Sequence, residues 1–216
     1  APQLASQLVS GVAREIAAFT EHNKERKIIR EMPPALIVPH AFSPEFCKKL
    51  IEAFRSGESF EGTVGARGNK SYRPDAKLRR DYVVQGELLK QVDDKLSRSL
   101  FPEIKKVFGF EVTHREYYKV GLYEGGKGGF FKRHRDNFDA PLGYRRIAMT
   151  LHLADDYEGG GLHFPEYDNH IYRPSLGSAI LFSCDTLHGA RPVTKGERFV
   201  IVGFFHTDED EAFRRY

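Results

Sequence analysis

Two different spacings of apolar residues divide the chain into a helical part and a β-rich part. Near the amino terminus, apolar residues recur every three or four positions and predict an amphipathic helix over residues 4–20, followed by a charged connector over 21–30. The same spacing over residues 85–107 predicts a long helix that breaks near Pro102. Both segments therefore belong to the helical part of the fold.

A third helix is predicted from its first residues. Ser43 can cap the helix, Pro44 suits its first turn, and Glu45 is favourable near the positive end of the helix dipole. We expect this helix to reach about Arg55. The residues before it, 35–38, follow two prolines and are apolar, which predicts a strand.

The second half of the chain has short β-rich runs separated by glycine, proline, asparagine and aspartate. These runs are 117–123, 130–134, 147–154, 161–164, 170–172, 178–182, 188–191 and 198–205. Short strands at such spacing fit a closed double sheet better than an open one. We predict an α+β protein whose core is a double-stranded β-helix, or jelly roll, flanked by N-terminal helices.

Residues 62–80 have almost no apolar side chains and several glycines and basic residues, which predicts a mobile surface loop that acts as a lid. Four basic residues in it allow two interpretations. They are Arg73, Lys77, Arg79 and Arg80. They either steer an acidic substrate towards a site or form an ordinary solvated surface.

Composition excludes several classes of protein. A chain of 216 residues that is 40% hydrophobic has the size of one domain with a substantial core. A net charge of +3 is far below that of a dedicated nucleic-acid binder, so no nucleic-acid partner is expected. Cys47 and Cys184 are too far apart in sequence for a short metal motif, and we expect two buried, reduced thiols.

The sequence has neither a signal-peptide pattern nor a run of about 18 apolar residues. We therefore expect a soluble, cytoplasmic protein with no membrane partner. The chain starts at Ala1 without a methionine, which suggests a fragment or a processed form.

The residues with the clearest chemistry are His134, Asp136 and His188. On a β-strand, residues i and i+2 project from the same face, so His134 and Asp136 can bind one metal ion. The pair His206 and Asp208 has the same spacing, but no histidine follows it to complete a site. Two imidazoles and one carboxylate leave adjacent metal positions open, as in non-haem Fe(II) oxygenases, which bind a co-substrate and O2 there.

Arg198 follows His188 by ten residues, beyond a turn at Lys195-Gly196. We expect that turn to fold the strand of Arg198 back against the strand of His188. A guanidinium there would bind a distal carboxylate through two parallel hydrogen bonds. These residues predict 2-oxoglutarate as the co-substrate.

The motifs resemble those of the prolyl-4-hydroxylase-like branch of the Fe(II)/2-oxoglutarate dioxygenases. The matching segments are 123–126, 130–137, 158–165 and 188–198. The resemblance covers roughly residues 34–206 and is strongest from Tyr117 onward. The chain is similar in particular to bacterial members that lie carboxy-terminal to a peroxiredoxin-like domain. This similarity implies a possible upstream domain. Our division is an N-terminal helix and connector at 1–33 and a dioxygenase domain at 34–216, with its jelly-roll core at about 112–206.

The resemblance implies Fe(II), 2-oxoglutarate and O2, with ascorbate as a reductant, and succinate and CO2 as products. Asp136 favours hydroxylation, because related halogenases lack this carboxylate and bind halide there. Two positions depart from the prolyl hydroxylase pattern. Arg198 replaces the lysine of collagen-type enzymes, and His152 stands where many relatives have tyrosine beside the co-substrate.

Several alternatives stay open at this point. Tyr123 and His152 either hydrogen-bond the co-substrate or are core residues. His163 and His170 suggest a second metal site or simply lie on a hairpin. The substrate is a peptidyl proline or similar residue, or else a free amino acid or another small metabolite. A different class of function is a jelly-roll module that binds a metal or small ligand without turnover.

Overall fold

The structure is a computed structural model that describes residues 32–65 and 71–213. The predicted helix over 4–20 and its connector lie outside the described residues. The predicted domain boundary near residue 33 therefore stays a prediction.

Fourteen strands form within the described residues. They are β1 (Ala35–Val38), β2 (Phe60–Glu61), β3 (Lys77–Leu78), β4 (Arg80–Val83), β5 (His114–Arg115), β6 (Lys119–Glu124), β7 (Phe130–His134), β8 (Ile147–His152), β9 (Glu158–Gly159), β10 (Leu162–His163), β11 (Ala179–Ser183), β12 (His188–Ala190), β13 (Val193–Lys195) and β14 (Glu197–His206). The predicted run over 170–172 is not a strand, since only Tyr172 pairs, through one bridge to Leu162.

The strands form two main antiparallel sheets. The major sheet has the order β1-β11-β8-β14-β6-β4-β2, and β5 also pairs with β14. The minor sheet has the order β10-β12-β7-β3, and β9 pairs with β13 in a separate ribbon. Residues of both sheets line one cavity of about 660 Å³. This is the arrangement expected of the predicted jelly roll.

Four α-helices lie within the described residues, and the first three pack on one face of the major sheet. They are α1 (Pro44–Ser56), α2 (Gly86–Ser99), α3 (Phe101–Phe108) and α4 (Asp208–Phe213). Ser43 caps α1 as predicted, because its hydroxyl accepts a hydrogen bond from the Phe46 backbone at 3.3 Å. The predicted break in the long helix is confirmed, since α2 ends at Ser99 and α3 places Pro102 in its first turn. Among the described residues, no helix is both long and apolar enough to cross a bilayer.

Alternation along β14 divides its side chains between the helices and the cavity. Phe199 and Ile201 pack in the core that contains the buried residues of α1, α2 and α3. Arg198, Val200 and Val202 line the cavity on the opposite face. The burial of one strand face against helices thus fixes which face points into the cavity.

The predicted pairing of the strands that carry His188 and Arg198 was wrong. The strand of Arg198, β14, bonds β6 along one edge and β8 along the other, so it has no edge left for β12. Between them, β13 pairs with β9, and Gly196 adopts a left-handed φ of 74° that turns the chain into the major sheet. His188 and Arg198 therefore lie in different sheets.

Residues 62–80 contain more structure than a surface loop. Val64 and Ser71 pair through a bridge, β3 joins the minor sheet, and Lys77 and Arg79 are buried. The expectation of a solvated basic surface was wrong for these two side chains, because both bond a buried carboxylate, that of Asp81. The lid role of this segment stays a prediction.

Candidate active site

Pairing of β7 with β12 brings three candidate metal ligands together. The two strands place His134 directly opposite His188, and Asp136 follows β7 by two residues. One ligand atom from each of the three lies within 4.8 Å of the others. The Asp136 carboxylate contacts Nε2 of His134 at 3.3 Å and Nε2 of His188 at 3.4 Å.

Backbone carbonyls orient both imidazole rings. Nδ1 of His134 lies 2.8 Å from the Lys132 carbonyl, and Nδ1 of His188 lies 3.0 Å from the Thr186 carbonyl. A carbonyl oxygen can only accept, so each Nδ1 carries the proton. Each Nε2 then presents its lone pair towards Asp136, as a metal ligand must.

The protonation states suit a divalent cation. Burial lowers the pKa of His188 to about 4, so its imidazole is neutral near pH 7. Burial would raise the pKa of Asp136, but the neighbouring His188 and His134 outweigh it and hold that pKa below its usual range. Two imidazole nitrogens and one carboxylate fit Fe(II) with positions left open.

Arg198 has a buried guanidinium to which no described residue hydrogen-bonds. Its side chain is 1% exposed, and Nε, Nη1 and Nη2 all lack a hydrogen bond among the described residues. Its guanidinium carbon lies 4.8 Å from the centre of the Tyr123 ring. Burying such a charge is costly unless an anion pairs with it. Because Arg198 lines the same cavity as the candidate metal ligands, its guanidinium would suit the distal carboxylate of 2-oxoglutarate.

Tyr123 and His152 both lie near Arg198, in different ways. Tyr123 lines the cavity, and its hydroxyl accepts a hydrogen bond from Arg79 at 3.3 Å. His152 is fully buried, with Nδ1 3.3 Å from the Tyr157 hydroxyl and no partner for Nε2. Burial, followed by the charge of Arg198, lowers the pKa of His152 to about 3. Tyr123 is thus exposed to the cavity, whereas His152 is not among the residues that line it.

A carboxylate that the sequence reading missed connects the segments of the metal ligands. Glu166 accepts hydrogen bonds from Arg135 at 2.5 and 3.1 Å and from the Leu187 backbone at 3.3 Å. Arg135 stands between His134 and Asp136, and Leu187 precedes His188. Glu166 therefore links the two segments that carry the candidate metal ligands. The 31-residue separation of Arg135 from Glu166 gives no local signal.

A second ion pair supports the chain after Asp136. Arg145 donates to both oxygens of Glu116, at 2.5 and 2.9 Å, and to the Asp136 carbonyl at 3.1 Å. The Tyr144 hydroxyl donates to the same Glu116 carboxylate at 2.5 Å. The pair is largely buried and holds the backbone of a metal ligand.

The other histidine pairs considered in the sequence do not form metal sites. Among the described residues, only His134, Asp136 and His188 form a group with metal-ligand geometry. Nε2 of His206 contacts Glu211 at 2.6 Å, while Asp208 contacts His114. Cys47 and Cys184 are buried free thiols, as expected.

Comparison with known proteins agrees with this geometry. Residues 118–206 match the family model of the 2OG-Fe(II) oxygenase superfamily. A PKHD-type hydroxylase of Gloeothece citriformis is 26% identical over 184 residues, covering 82% of this chain and 80% of the relative. Probable prolyl 4-hydroxylase 9 of Arabidopsis thaliana is 26% identical over 225 residues, covering 86% and 73%.

Solved structures confirm the jelly-roll fold. A prolyl hydroxylase of Trichoplax adhaerens, in complex with a hypoxia inducible factor peptide fragment, superposes with a TM-score of 0.68 at 16% identity, over 85% of this chain and 87% of that one. A Pseudomonas putida prolyl-4-hydroxylase gives a TM-score of 0.64 at 18% identity, over 82% and 94%.

The first prediction concerns the acid sensitivity of the metal-free fold. The unfolded chain takes up a proton on His152 as the pH falls through 6.5, whereas the folded chain does not until about pH 3, so stability decreases in this range. Replacing His152→Gln should therefore reduce the loss of unfolding free energy between pH 7 and pH 5 by about 2 kcal/mol. Urea unfolding at both pH values measures it, and identical losses in the two proteins would contradict it.

The second prediction concerns Glu166. In Glu166→Gln we expect Mn²⁺, used as a redox-stable substitute for Fe(II), to bind about tenfold more weakly, because the two ligand segments lose their charged connection. Asp93→Asn is the matched control, since it breaks a similar bidentate pair with Arg115 away from the site. Calorimetric titration measures both affinities. Equal affinities in the wild type and Glu166→Gln would rule out this connecting role.

Proposed function

We propose that this chain is a 2-oxoglutarate-dependent dioxygenase that hydroxylates a proline or similar residue of a peptide, since its residues 118–206 match the 2OG-Fe(II) oxygenase superfamily. The co-substrates are 2-oxoglutarate and O2, and the products besides the hydroxylated residue are succinate and CO2. One observation carries the proposal. A single cavity contains a histidine, aspartate and histidine triad and an unpartnered, buried guanidinium.

The roles of the residues follow from their positions. His134, Asp136 and His188 would hold Fe(II) and leave adjacent positions open for 2-oxoglutarate and O2. Arg198 would bind the distal carboxylate and so orient the keto acid end towards the metal. The chemistry that bound iron supplies is O2 activation, coupled to decarboxylation of 2-oxoglutarate and hydroxylation of a C–H bond. Apolar cavity residues such as Phe182 and Val200 exclude water from that step.

The mouth of the cavity supports a peptide substrate. Phe138 is 81% exposed and Tyr117 is 41% exposed, and both line the cavity. Exposed aromatic side chains at an opening offer stacking surfaces for a peptide and its proline ring. A free amino acid or small metabolite remains the alternative substrate. We do not propose a non-catalytic binding module, because residues 118–206 match an oxygenase family and the relatives are hydroxylases.

Three further expectations belong to this proposal. We propose ascorbate as the reductant that keeps the iron ferrous. We also propose a cytoplasmic location, which the two free thiols support, since such thiols are typical of reducing compartments. The expected upstream domain is supported by the sequence resemblance alone.

The third prediction tests the two halves of the site separately. His134→Ala should abolish succinate formation, because the metal loses one of three ligands. Arg198→Met should raise the KM for 2-oxoglutarate by about 100-fold while Mn²⁺ affinity stays unchanged, because a charge-assisted bidentate contact is lost. Arg98→Met, an exposed arginine of α2, is the control and should leave both quantities unaltered. Succinate release is measured by mass spectrometry.

Candidate peptides and metabolites are then screened for the gain of one oxygen atom. Hydroxylation of a proline-containing peptide supports the proposal, and exclusive hydroxylation of a free metabolite selects the alternative. Absence of succinate under every condition with Fe(II) and 2-oxoglutarate would overturn it.

A further inference from the structure

Three charged side chains form a buried cluster at one end of the cavity. Lys77 and Arg79 line the cavity wall, and Asp81 lies directly behind them. Lys77 is 4% exposed, Arg79 is 7% exposed and Asp81 is 1% exposed. Lys77 belongs to β3 of the minor sheet and Asp81 to β4 of the major sheet. The cluster therefore sits where the chain passes between the sheets.

The hydrogen bonds of Asp81 are shared between the two cations. Its carboxylate accepts from Arg79 at 2.5 and 3.0 Å and from the Lys77 ammonium at 3.3 Å. Arg79 also donates to the Tyr123 hydroxyl, and Lys77 donates to the Thr63 carbonyl at 3.3 Å. A neutral hydroxyl and a neutral carbonyl satisfy donors without balancing charge. One carboxylate thus serves two buried positive groups.

The buried side chains at this part of the cavity carry more positive than negative charge. Lys77, Arg79 and Arg198 are positive when protonated, and Asp81 is the carboxylate that contacts two of them. Under the proposed function, the distal carboxylate of 2-oxoglutarate pairs with Arg198. When Lys77 is protonated, one positive charge then remains at Lys77 and Arg79. Buried charges are normally paired, so this end of the cavity calls for a second anion.

The pKa of Lys77 agrees with this shortage of negative charge. Burial, followed by the charge of Arg79, lowers the pKa of Lys77 to about 7, and the attraction of Asp81 does not compensate. Lys119 adds further positive potential. The ammonium lies 5.2 Å from the centre of the Phe131 ring, which lines the same cavity and gives weak compensation. An arriving carboxylate would supply the missing partner.

We infer that the substrate carries a carboxylate which binds at the Lys77 and Arg79 end of the cavity. This inference rests on the proposed function and names its substrate class. The carboxylate comes from an aspartate or glutamate near the target residue of a peptide, or from the α-carboxylate of an amino acid. Either source would select acidic substrates over neutral ones of the same shape.

The test compares probes that differ by one charge. The protein is loaded with Mn²⁺ and 2-oxoglutarate, which gives a complex without turnover. Binding is measured by calorimetry for short single-proline peptides with glutamate or glutamine at each flanking position. N-acetylproline and N-acetylprolinamide form the second pair and represent the α-carboxylate source. We expect the acidic member of at least one pair to bind about tenfold more tightly, the effect of one charged contact.

Variants then assign the preference to the cluster. Lys77→Gln should bring the acidic and neutral probes within about twofold of each other, while Lys77→Arg should keep most of the preference. Lys48→Gln, an exposed lysine on α1, is the control and should bind like the wild type. A preference that survives Lys77→Gln overturns the inference. If Lys77→Gln does not fold, equal binding of every pair by the wild type still overturns it.

Turnover separates this inference from the proposed function. Equal binding and equal hydroxylation of acidic and neutral probes would leave the hydroxylase intact and remove the carboxylate subsite. Tight, Lys77-dependent binding of acidic probes without any succinate would support the subsite and refute the hydroxylase. The carboxylate subsite and the hydroxylase activity are both supported if the acidic probe binds more tightly and gains an oxygen atom.

Discussion

A buried guanidinium without a partner is the constraint on which the account of this protein depends. Arg198 is held inside the barrel with three nitrogens that no described residue satisfies. A fold tolerates such a group only if something else compensates its charge, and in this cavity that role falls to a ligand. The candidate metal ligands on the facing sheet would give such a bound molecule its second point of attachment. A dicarboxylate that also chelates a metal meets both requirements.

The two sheets contribute different residues to the candidate site. The minor sheet contributes candidate metal ligands from β7 and β12, while the major sheet contributes Arg198 from β14 and Tyr123 from β6. Helices α1 to α3 bury the outer face of the major sheet and so fix the inner one. Carboxylates at the edge of the site hold the ligand segments, as Glu166 does for Arg135 and Leu187. The candidate site residues His134, His188 and Arg198 therefore lie on strands of the two sheets.

The sequence was sufficient for the parts of the structure that local rules determine. The helix start at Ser43, the break near Pro102 and most strands from 117 onward follow from capping, proline chemistry and alternation. The order of His134, Asp136, His188 and Arg198 was also readable, although their roles as ligands remain predictions. The fold family followed from these motifs and the turns between them.

The rest depends on tertiary contacts that a single sequence does not show. The strand of Arg198 was assigned to the wrong neighbour, because pairing depends on which edges β6 and β8 occupy. The short strands β9 and β13 were missed because two or three residues are too few to show the alternation of apolar and polar side chains. The burial of Lys77 and Arg79 was missed too, yet a signal existed. Arg79 and Asp81 are two residues apart in the sequence, and in an extended segment this spacing puts both side chains on the same side, which favours an ion pair.

The most direct test is a crystal structure of the protein with Mn²⁺ and 2-oxoglutarate, prepared without oxygen. The account predicts one metal ion bound by Nε2 of His134, a carboxylate oxygen of Asp136 and Nε2 of His188. It also predicts the distal carboxylate of 2-oxoglutarate within hydrogen-bond distance of the Arg198 guanidinium. A metal bound elsewhere, or a distal carboxylate bound at Lys77 and Arg79 with Arg198 still unpaired, would contradict it.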